Sequence, residues 1–532
     1  MGFFNKKKKK MESASSASTT PASLLQPENA LKISLKENLQ KIKEELGNST
    51  DIVFREFRIG KNKSIQAGAI YTDGLTDTES WERIIKQLLE LDIQGDSDNQ
   101  KKATEQNFMD ELNFSLNIGD VRNFTDFNML YASLLSGETI LLVEGYTQGI
   151  AISNKHWEER GVTEPSSQTV VRGPREGFSE NLRINTALVR RKIKDPDLWL
   201  ETKIIGKHTK TNVAVMYING IVNEKLVKEV HERLDRINID GIFESGNIEE
   251  LIEDSPYSPF PTIINTERPD AVAAALLDGR IAILVDGTPF VLIVPSLFIE
   301  FFQSPEDYYQ RAYIASLVRF LRFVAYGIAL LAPAIFIALT TYHQEMIPTA
   351  LLMNLAHQRE GVPFPAFVET ILVEITFEIL REAGLRMPRS IGPTMSIVGA
   401  FVLGSASVEA GMITAATVII VSITAICSYV SPLYDISISI RMLRFIFIGL
   451  AALFGLFGII VGLIVMVLHL CSLRSFGIPY MSPLAPFNLA DQKDTLFRFP
   501  QWKMFTRTRL INQQNVVKQQ SPDSAKPEPN KN

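Results

Sequence analysis

The sequence predicts a two-part protein: an α/β tandem-repeat cytoplasmic N-terminal region followed by a polytopic α-helical membrane domain. Three observations predict it. The second half, from Leu317 to Leu470, holds several apolar runs close to or above the roughly 20 residues that a bilayer-crossing helix needs. The chain before about Ala271 is charged and soluble in character. Within that first half, one order of strand, helix and hairpin signals occurs twice.

The apolar runs differ in quality. Phe445 to His469 has no acidic or strongly basic residue, and Val324 to Thr341 is nearly as clean, with Arg319 and Arg322 at its entrance. Ile391 to Val408 and Gly411 to Val430 follow, separated by Glu409 and Ala410. A soluble core of ordinary size has no use for so many uninterrupted runs, so an integral membrane protein is expected. Ile281 to Val294 is also apolar, but Asp286-Gly287 and Pro289 interrupt it, which suits hairpin strands better than a span.

Composition excludes several classes. The formal net charge of −5 argues against a nucleic-acid partner. Only Cys427 and Cys471 occur, which make neither a disulfide framework nor a zinc site. The start of the chain, with lysines at 6–10, lacks the apolar core of a secretory signal, and Lys6 stands where a myristoylation motif wants Ser or Thr. Residues 1–30 read as a disordered basic and Ser-rich arm, resting on anionic membrane lipid or simply solvated.

Residues 31–160 form the first expected α/β subdomain. A charged helix is expected from Lys32 to Gly47, a strand and turn at residues 69–74 (AIYTDG), and a helix from Trp81 to Leu91. A polar insert follows, and then residues 137–153 (GETILLVEGYTQGIAIS) carry a hairpin pattern. The plan recurs in residues 201–310, the second subdomain. There VMYING at 215–220 parallels AIYTDG, with Tyr217 matching Tyr71 and Gly220 matching Gly74. A helix from Lys225 to Arg236 follows, and LLDGRIAILVDG at 276–287 mirrors LLSGETILLVEG at 134–145. Between the copies, the linker 161–200 contains the Gly/Pro loop VRGPREGFSE and a basic helix over Asn181 to Lys194, with Ser179 as its expected N-cap. Arg172, Arg175 and Glu176 on that loop are candidates for contact with another subunit; otherwise Arg175 and Glu176 pair within the chain and pin the subdomains together.

The membrane domain, 311–475, is expected to hold four to six helices, including an amphipathic one at 363–380. Within it Phe364 to Leu380 contains Glu369, Glu374 and Glu378. At about 100° per residue Glu374 and Glu378 share a face, with Arg381 about 60° away. Such a helix lies in the interface, or crosses while facing protein or water, because carboxylates are costly in lipid and often mark a pathway. Residues 391–411 crowd small side chains, and Ser396, Gly399, Ala400, Leu403 and Ser407 fall on one stripe, opposite Val398, Val402, Ser405 and Glu409. Such a stripe packs helices closely or lines a narrow pore. Glycines 455, 458 and 462 read as packing. Arginine placement conflicts between topologies: five spans keep Arg381, Arg386, Arg389, Arg441 and Arg444 inside but expose the basic C-terminal tail, and four spans do the reverse.

Enzyme chemistry finds no support. His343, His357 and His469 are scattered, and Gly137, Gly145 and Gly149 match neither G-x-G-x-x-G nor a Walker motif. No catalytic residue, cofactor or metal is expected.

Five strings in order carry a resemblance: VRGPREGFSE with its arginine-rich helix, GRIAILVDGTPFVLIVPSLFIEFFQSPEDYY, FEILREAGLRMP, SPLYDISISIRMLRF and RSFGIPYMSPLAP. Together they resemble the A subunits of the GerA-type spore germinant receptors, over nearly all of the chain except its two tails. The resemblance implies the inner membrane of a bacterial spore, a transporter-like B subunit that binds nutrient, and a lipoprotein C subunit as partners. It also implies a cytoplasmic tandem N-terminal region, a short cytoplasmic tail at 476–532, and oligomers that conduct cations when nutrient binds. The expected function is therefore a nutrient-responsive channel-forming membrane subunit, a homo-oligomer as the resemblance implies, with Ile391 to Glu409 as conduit. A secondary transporter of a small solute and a non-conducting membrane scaffold are the rival readings.

Overall fold

The computed structural model describes residues 29–60, 65–90, 121–155, 165, 168–387, 399, 404–489, 491–504, 506–507, 511 and 515–518. The first α/β unit begins with α1 (Leu35–Glu45), β1 (Ile52–Ile59), β2 (Ile65–Thr72) and α2 (Thr78–Glu90). It continues through β3 (Val121–Phe124), α3 (Phe127–Leu134), β4 (Thr139–Val143) and β5 (Gly149–Ile152). Its sheet runs β1-β2-β4-β5-β3 with every pairing antiparallel. Side chains alternate across the sheet, as a period of two requires. Ile70, Ile140 and Ala151 meet α1 and α3 on one face, while Ala69, Tyr71, Leu141 and Ile150 meet Trp81, Ile84 and Leu88 of α2 on the other.

After α4 (Leu182–Lys192) the second unit repeats the plan with β6 (Leu198–Ile205), β7 (Thr211–Ile218), α5 (Glu224–Asp235), α6 (Ser245–Ile252), β8 (Ile264–Thr266), α7 (Pro269–Leu277), β9 (Ile281–Val285) and β10 (Val291–Val294). The order is β6-β7-β9-β10-β8, the same path as in the first unit. Tyr71 sits opposite Val53, and Tyr217 sits opposite Trp199, each pair involving the second residue of its unit's first strand. The turn glycines Gly74 and Gly220 both adopt positive φ, 82° and 74°. Ile281 to Val294 forms strands, as its Asp-Gly turn required.

The linker helix differs in its cap. Asn181, not Ser179, is the N-cap of α4, accepting from the backbone N–H groups of Arg183 and Ile184. Ser179 lies two residues outside, because Asn185 turns back to take its N–H at 2.8 Å. Helix α4 clasps the units. Arg190 is fully buried and donates twice to Asp51 of the first unit, at 2.7 and 2.9 Å, while Arg183 pairs with Asp73 at 2.9 Å. Leu188 and Val189 of the same helix enter the core of the second unit.

The apolar half forms a helical bundle: α8 (Ala312–Thr341), α9 (Thr349–Arg359), α10 (Ala366–Arg386), α11 (Ala415–Ser428) and α12 (Tyr434–Ser472). The expected single span Phe445 to His469 is corrected here. Gly455 leaves helical geometry with φ 59° and ψ −142°, and the chain reverses there. A Cβ placed on Gly462 would fall 2.9 Å from Phe447 Cε1 and 2.8 Å from Leu450 Cδ1. A straight helix would hold residues 447 and 462 about 22 Å apart, so α12 is two antiparallel limbs, 434–454 and 456–472. Gly458 and Gly462 do serve packing, between the limbs, whereas Gly455 is the turn. Helix α11, with 14 residues, is shorter than the run Gly411 to Val430 suggests, and α10 extends six residues past Leu380.

The bundle has two distinct ends. At the near end Asp435 accepts from Asn265 at 2.7 Å and His469 meets Ser258 at 3.0 Å, so both limbs of α12 start and finish on the second α/β unit. At the far end Tyr342 donates to Ala452 O at 2.8 Å, beside the turn. The tail then returns to the second unit. Ser475 donates to Thr262 O at 2.7 Å, Tyr480 is fully buried among Phe298 and Phe301, and Ile511 packs on Leu297 and Ile299. Two short strands, β11 (Arg474–Ser475) and β12 (Ile478–Pro479), close this return.

Candidate functional site: a carboxylate ladder inside the helical bundle

Helix α10 supplies three carboxylates, each taken by a different neighbour. Glu369, at its far end, is buried and accepts the Thr414 hydroxyl at 2.7 Å and the Thr414 N–H. Thr414 is the N-cap of α11, so this carboxylate sits at the positive end of a helix dipole. Glu374, about one and a half turns on, is fully buried and accepts from Arg444 Nη1 at 2.6 Å. The same guanidinium donates from Nε to Ala329 O of α8 at 2.9 Å, so one side chain joins three helices. Glu378 accepts from Arg381 on its own helix and from Arg441 Nε of α12 at 3.0 Å. The glutamates therefore face protein, which is how charge persists in a low-dielectric helix bundle.

Three atoms of this ladder are left over. Glu374 Oε1, Arg381 Nε and Arg444 Nη2 are buried with no hydrogen-bond partner among the described residues. A buried pair that is only half satisfied is poised between arrangements, because each spare lone pair or proton favours any movement that reaches a new partner.

The predicted stripe is placed in part. Gly399 is buried, and a Cβ there would stand 3.0 Å from Leu380 Cδ1, so it packs on α10 two residues beyond Glu378. Ser407 is half-buried and Glu409 exposed, in a short turn (Ser407–Glu409) whose Val408 packs in the cluster of Val373 on α10. Ser396, Ala400 and Leu403 lie outside the described residues. On the linker loop, Arg172 and Arg175 are exposed. Glu176 turns inward to Lys192 at 2.9 Å and Arg191 at 3.7 Å, which ties the loop to α4 but not to the first unit. The pinning role falls to Arg190 and Asp51.

A second cluster, at the near end, escaped sequence reasoning. Arg268 is fully buried, donates to Pro174 O at 3.1 Å and pairs with Asp270 at 2.7 Å, and Asp270 also accepts from Tyr309 at 2.6 Å. Next to it Asp307 takes Arg322 at 2.7 Å and Arg319 at 3.3 Å, while Asp494 of the tail takes Arg319 at 2.8 Å and Tyr308 at 2.6 Å. These groups weld the second unit, the start of α8 and the tail. The signal available was the alternation of opposite charges in TERPD and SPEDYY, but their partners are too distant in sequence for any periodicity to find.

Residues 40–510 match the family model described as Bacillus/Clostridium GerA spore germination protein. The chain belongs to the GerA spore germination family. Spore germination protein KA of Bacillus subtilis is 48% identical over 486 residues, covering 91% of this chain and 88% of that protein. Spore germination protein A1 of Bacillus subtilis is 37% identical over 502 residues, covering 93% of this chain and all of that one (100%). A further relative, 42% identical over 497 residues, is named an uncharacterized membrane protein, YfkQ, of Bacillus subtilis. Among solved structures, the N-terminal domain of the A subunit of the Bacillus megaterium spore germinant receptor GerK3 is 45% identical, covering 51% of this chain and 97% of that chain at a TM-score of 0.40. Within this GerA chain the ladder lies wholly beyond the second α/β unit, and the strings FEILREAGLRMP and SISIRMLRF supply Glu378, Arg381, Arg441 and Arg444 to it.

Proposed function

We propose that this GerA-family chain is the A subunit of a nutrient-responsive spore germinant receptor and forms the oligomeric, cation-conducting conduit of that receptor. Its helical half crosses the inner spore membrane, and its α/β tandem stays on the cytoplasmic side. A transporter-like B subunit binds nutrient and, with a lipoprotein C subunit, completes the receptor. The observation that carries this reading is the ladder: helices with apolar outer faces hold ionic groups inward, and both limbs of α12 are anchored on the second unit. Nutrient binding on the partner shifts the population toward a bundle in which Glu374 and Arg444 exchange partners. Gly399, resting on Leu380, transmits that movement to the segment 391–409 that lines the conduit.

Thiol modification tests this. Ser396→Cys and Ser407→Cys are placed in a chain carrying Cys427→Ser and Cys471→Ser, and nutrient-triggered cation release from spores is followed with and without a charged methanethiosulfonate. Modification at these positions is expected to slow release severalfold at unchanged receptor level. Full modification with unchanged release would remove 391–409 from the conduit and leave an anchored scaffold.

A further inference from the structure

We propose that residues 494–503 form a strap that rests in the headgroup layer of the near leaflet, with Phe497, Phe499 and Trp502 as its anchors and anionic phospholipid as its partner. This rests on the reading that the helices cross a bilayer. The height of the strap is set by α8. Arg498 N–H donates to Ser316 Oγ at 3.0 Å, Arg498 Nη1 to Gln310 O at 3.0 Å, and Arg319 Nη1 to Thr495 O at 2.9 Å. Residues 494–498 therefore lie along the first turns of that helix. The outward face of α8 turns apolar at the same level, with Leu317, Phe320, Leu321 and Val324 all exposed. A bilayer around α8 thus has its near boundary beside Ser316, where the strap is fastened.

The strap's own chemistry fits that depth. Phe497 and Phe499 flank the fastened Arg498 and are 55% and 42% exposed, although apolar rings left in water are unfavourable. In the interfacial layer the same rings lose that penalty, and amphipathic aromatics collect there. Residues Gln501–Lys503 make a single helical turn. It places Lys503 Nζ 4.9 Å from the Trp502 ring and 5.8 Å from the Phe499 ring. A cation held above aromatic anchors is suited to lipid phosphate, which a Lys near the surface attracts. Tyr313, exposed one turn below Leu317, adds to the same belt.

The test uses the full chain with Cys427→Ser and Cys471→Ser, in nanodiscs of phosphatidylcholine and phosphatidylglycerol. A nitroxide is placed by Phe499→Cys, with references at Ile460→Cys on the outer face of α12 and Glu56→Cys on the first sheet. Collision with oxygen relative to a water-soluble nickel chelate reads depth. The label at 499 is expected between the two references, and severalfold higher in the oxygen-to-nickel ratio than that at 56. A ratio at 499 equal to that at 56 overturns the strap, as does shielding from both reagents, which would mean that a second protein covers it. A water-exposed label at 460 would instead sink the membrane reading itself. To guard against a misfolded variant, the unsubstituted chain is photolabelled with a headgroup diazirine phosphatidylglycerol. Labelling of peptides spanning 497–503 above the strand 211–218 is expected, and equal labelling overturns the proposal.

Discussion

At the scale of single residues, the ladder shows how a charge persists among apolar helices. Glu374 and Arg444 stabilise the bundle less by their own attraction than by the penalty of separating them. Glu374→Ala leaves a buried guanidinium without its counter-ion, and a loss of about 3–5 kcal/mol is expected from thermal or chemical unfolding of the detergent-solubilised chain. Replacing both by apolar residues of similar volume is expected to recover most of that loss, which tests that the penalty lies in the orphaned charge. A second residue-level constraint is Gly47. Its φ of 63° and the Trp199 ring, 2.1 Å from where a Cβ would stand, leave no room for a side chain. Gly47→Ala is expected to cost at least about 1–2 kcal/mol from the backbone alone, measured as a lower unfolding midpoint. The carboxylates of the ladder were legible in the sequence because two share a face of one helix. Arg444 was legible only as a topological marker, since its partner lies 70 residues away and no period within a helix reaches it.

At the scale of elements, the informative departure is α12. Its apolar run reads as one long span because composition carries no record of direction, and glycine is equally at home in a packed helix and in a reversal. The reversal at Gly455 also removes the conflict over arginines. Arg441 lies one to two turns into the first limb from the near end, and the basic tail returns to the second α/β unit at that same end, so both lie at one end of the bundle. The strands were more legible, because alternation and an Asp-Gly or Asn-Gly turn define a strand locally. Where α6 meets this bundle, Glu249 is pushed up to about 8 by burial and by the neighbouring carboxylates of Asp435 and Glu253, with Asn265 opposing. A carboxyl raised in the folded state contributes stability below its unfolded pKa, and that contribution disappears as pH rises through the folded value. The packing of α6 on the second unit is therefore expected to weaken between about pH 4.5 and pH 9, seen as faster amide exchange in residues 245–252, and Glu249→Gln should flatten that dependence.

At the scale of the whole molecule, two α/β units of one strand order are joined by a buried clasp and set against a helical bundle by a charged weld. The strand order was readable from matching glycines and hairpins, which repeat along the chain. The clasp, the weld and the tail's place beneath the second unit were not, since each joins residues too far apart for the period of one helix or strand to relate, up to 186 positions in the weld. That last feature bears on biosynthesis. Phe298 and Phe301 emerge from the ribosome roughly 180 residues ahead of Tyr480, which covers them, and the entire apolar half is made in between. The second unit thus waits, with an aromatic face open, until the last limb has come back, so a chain that stalled before then would carry a ready flag for quality-control proteases.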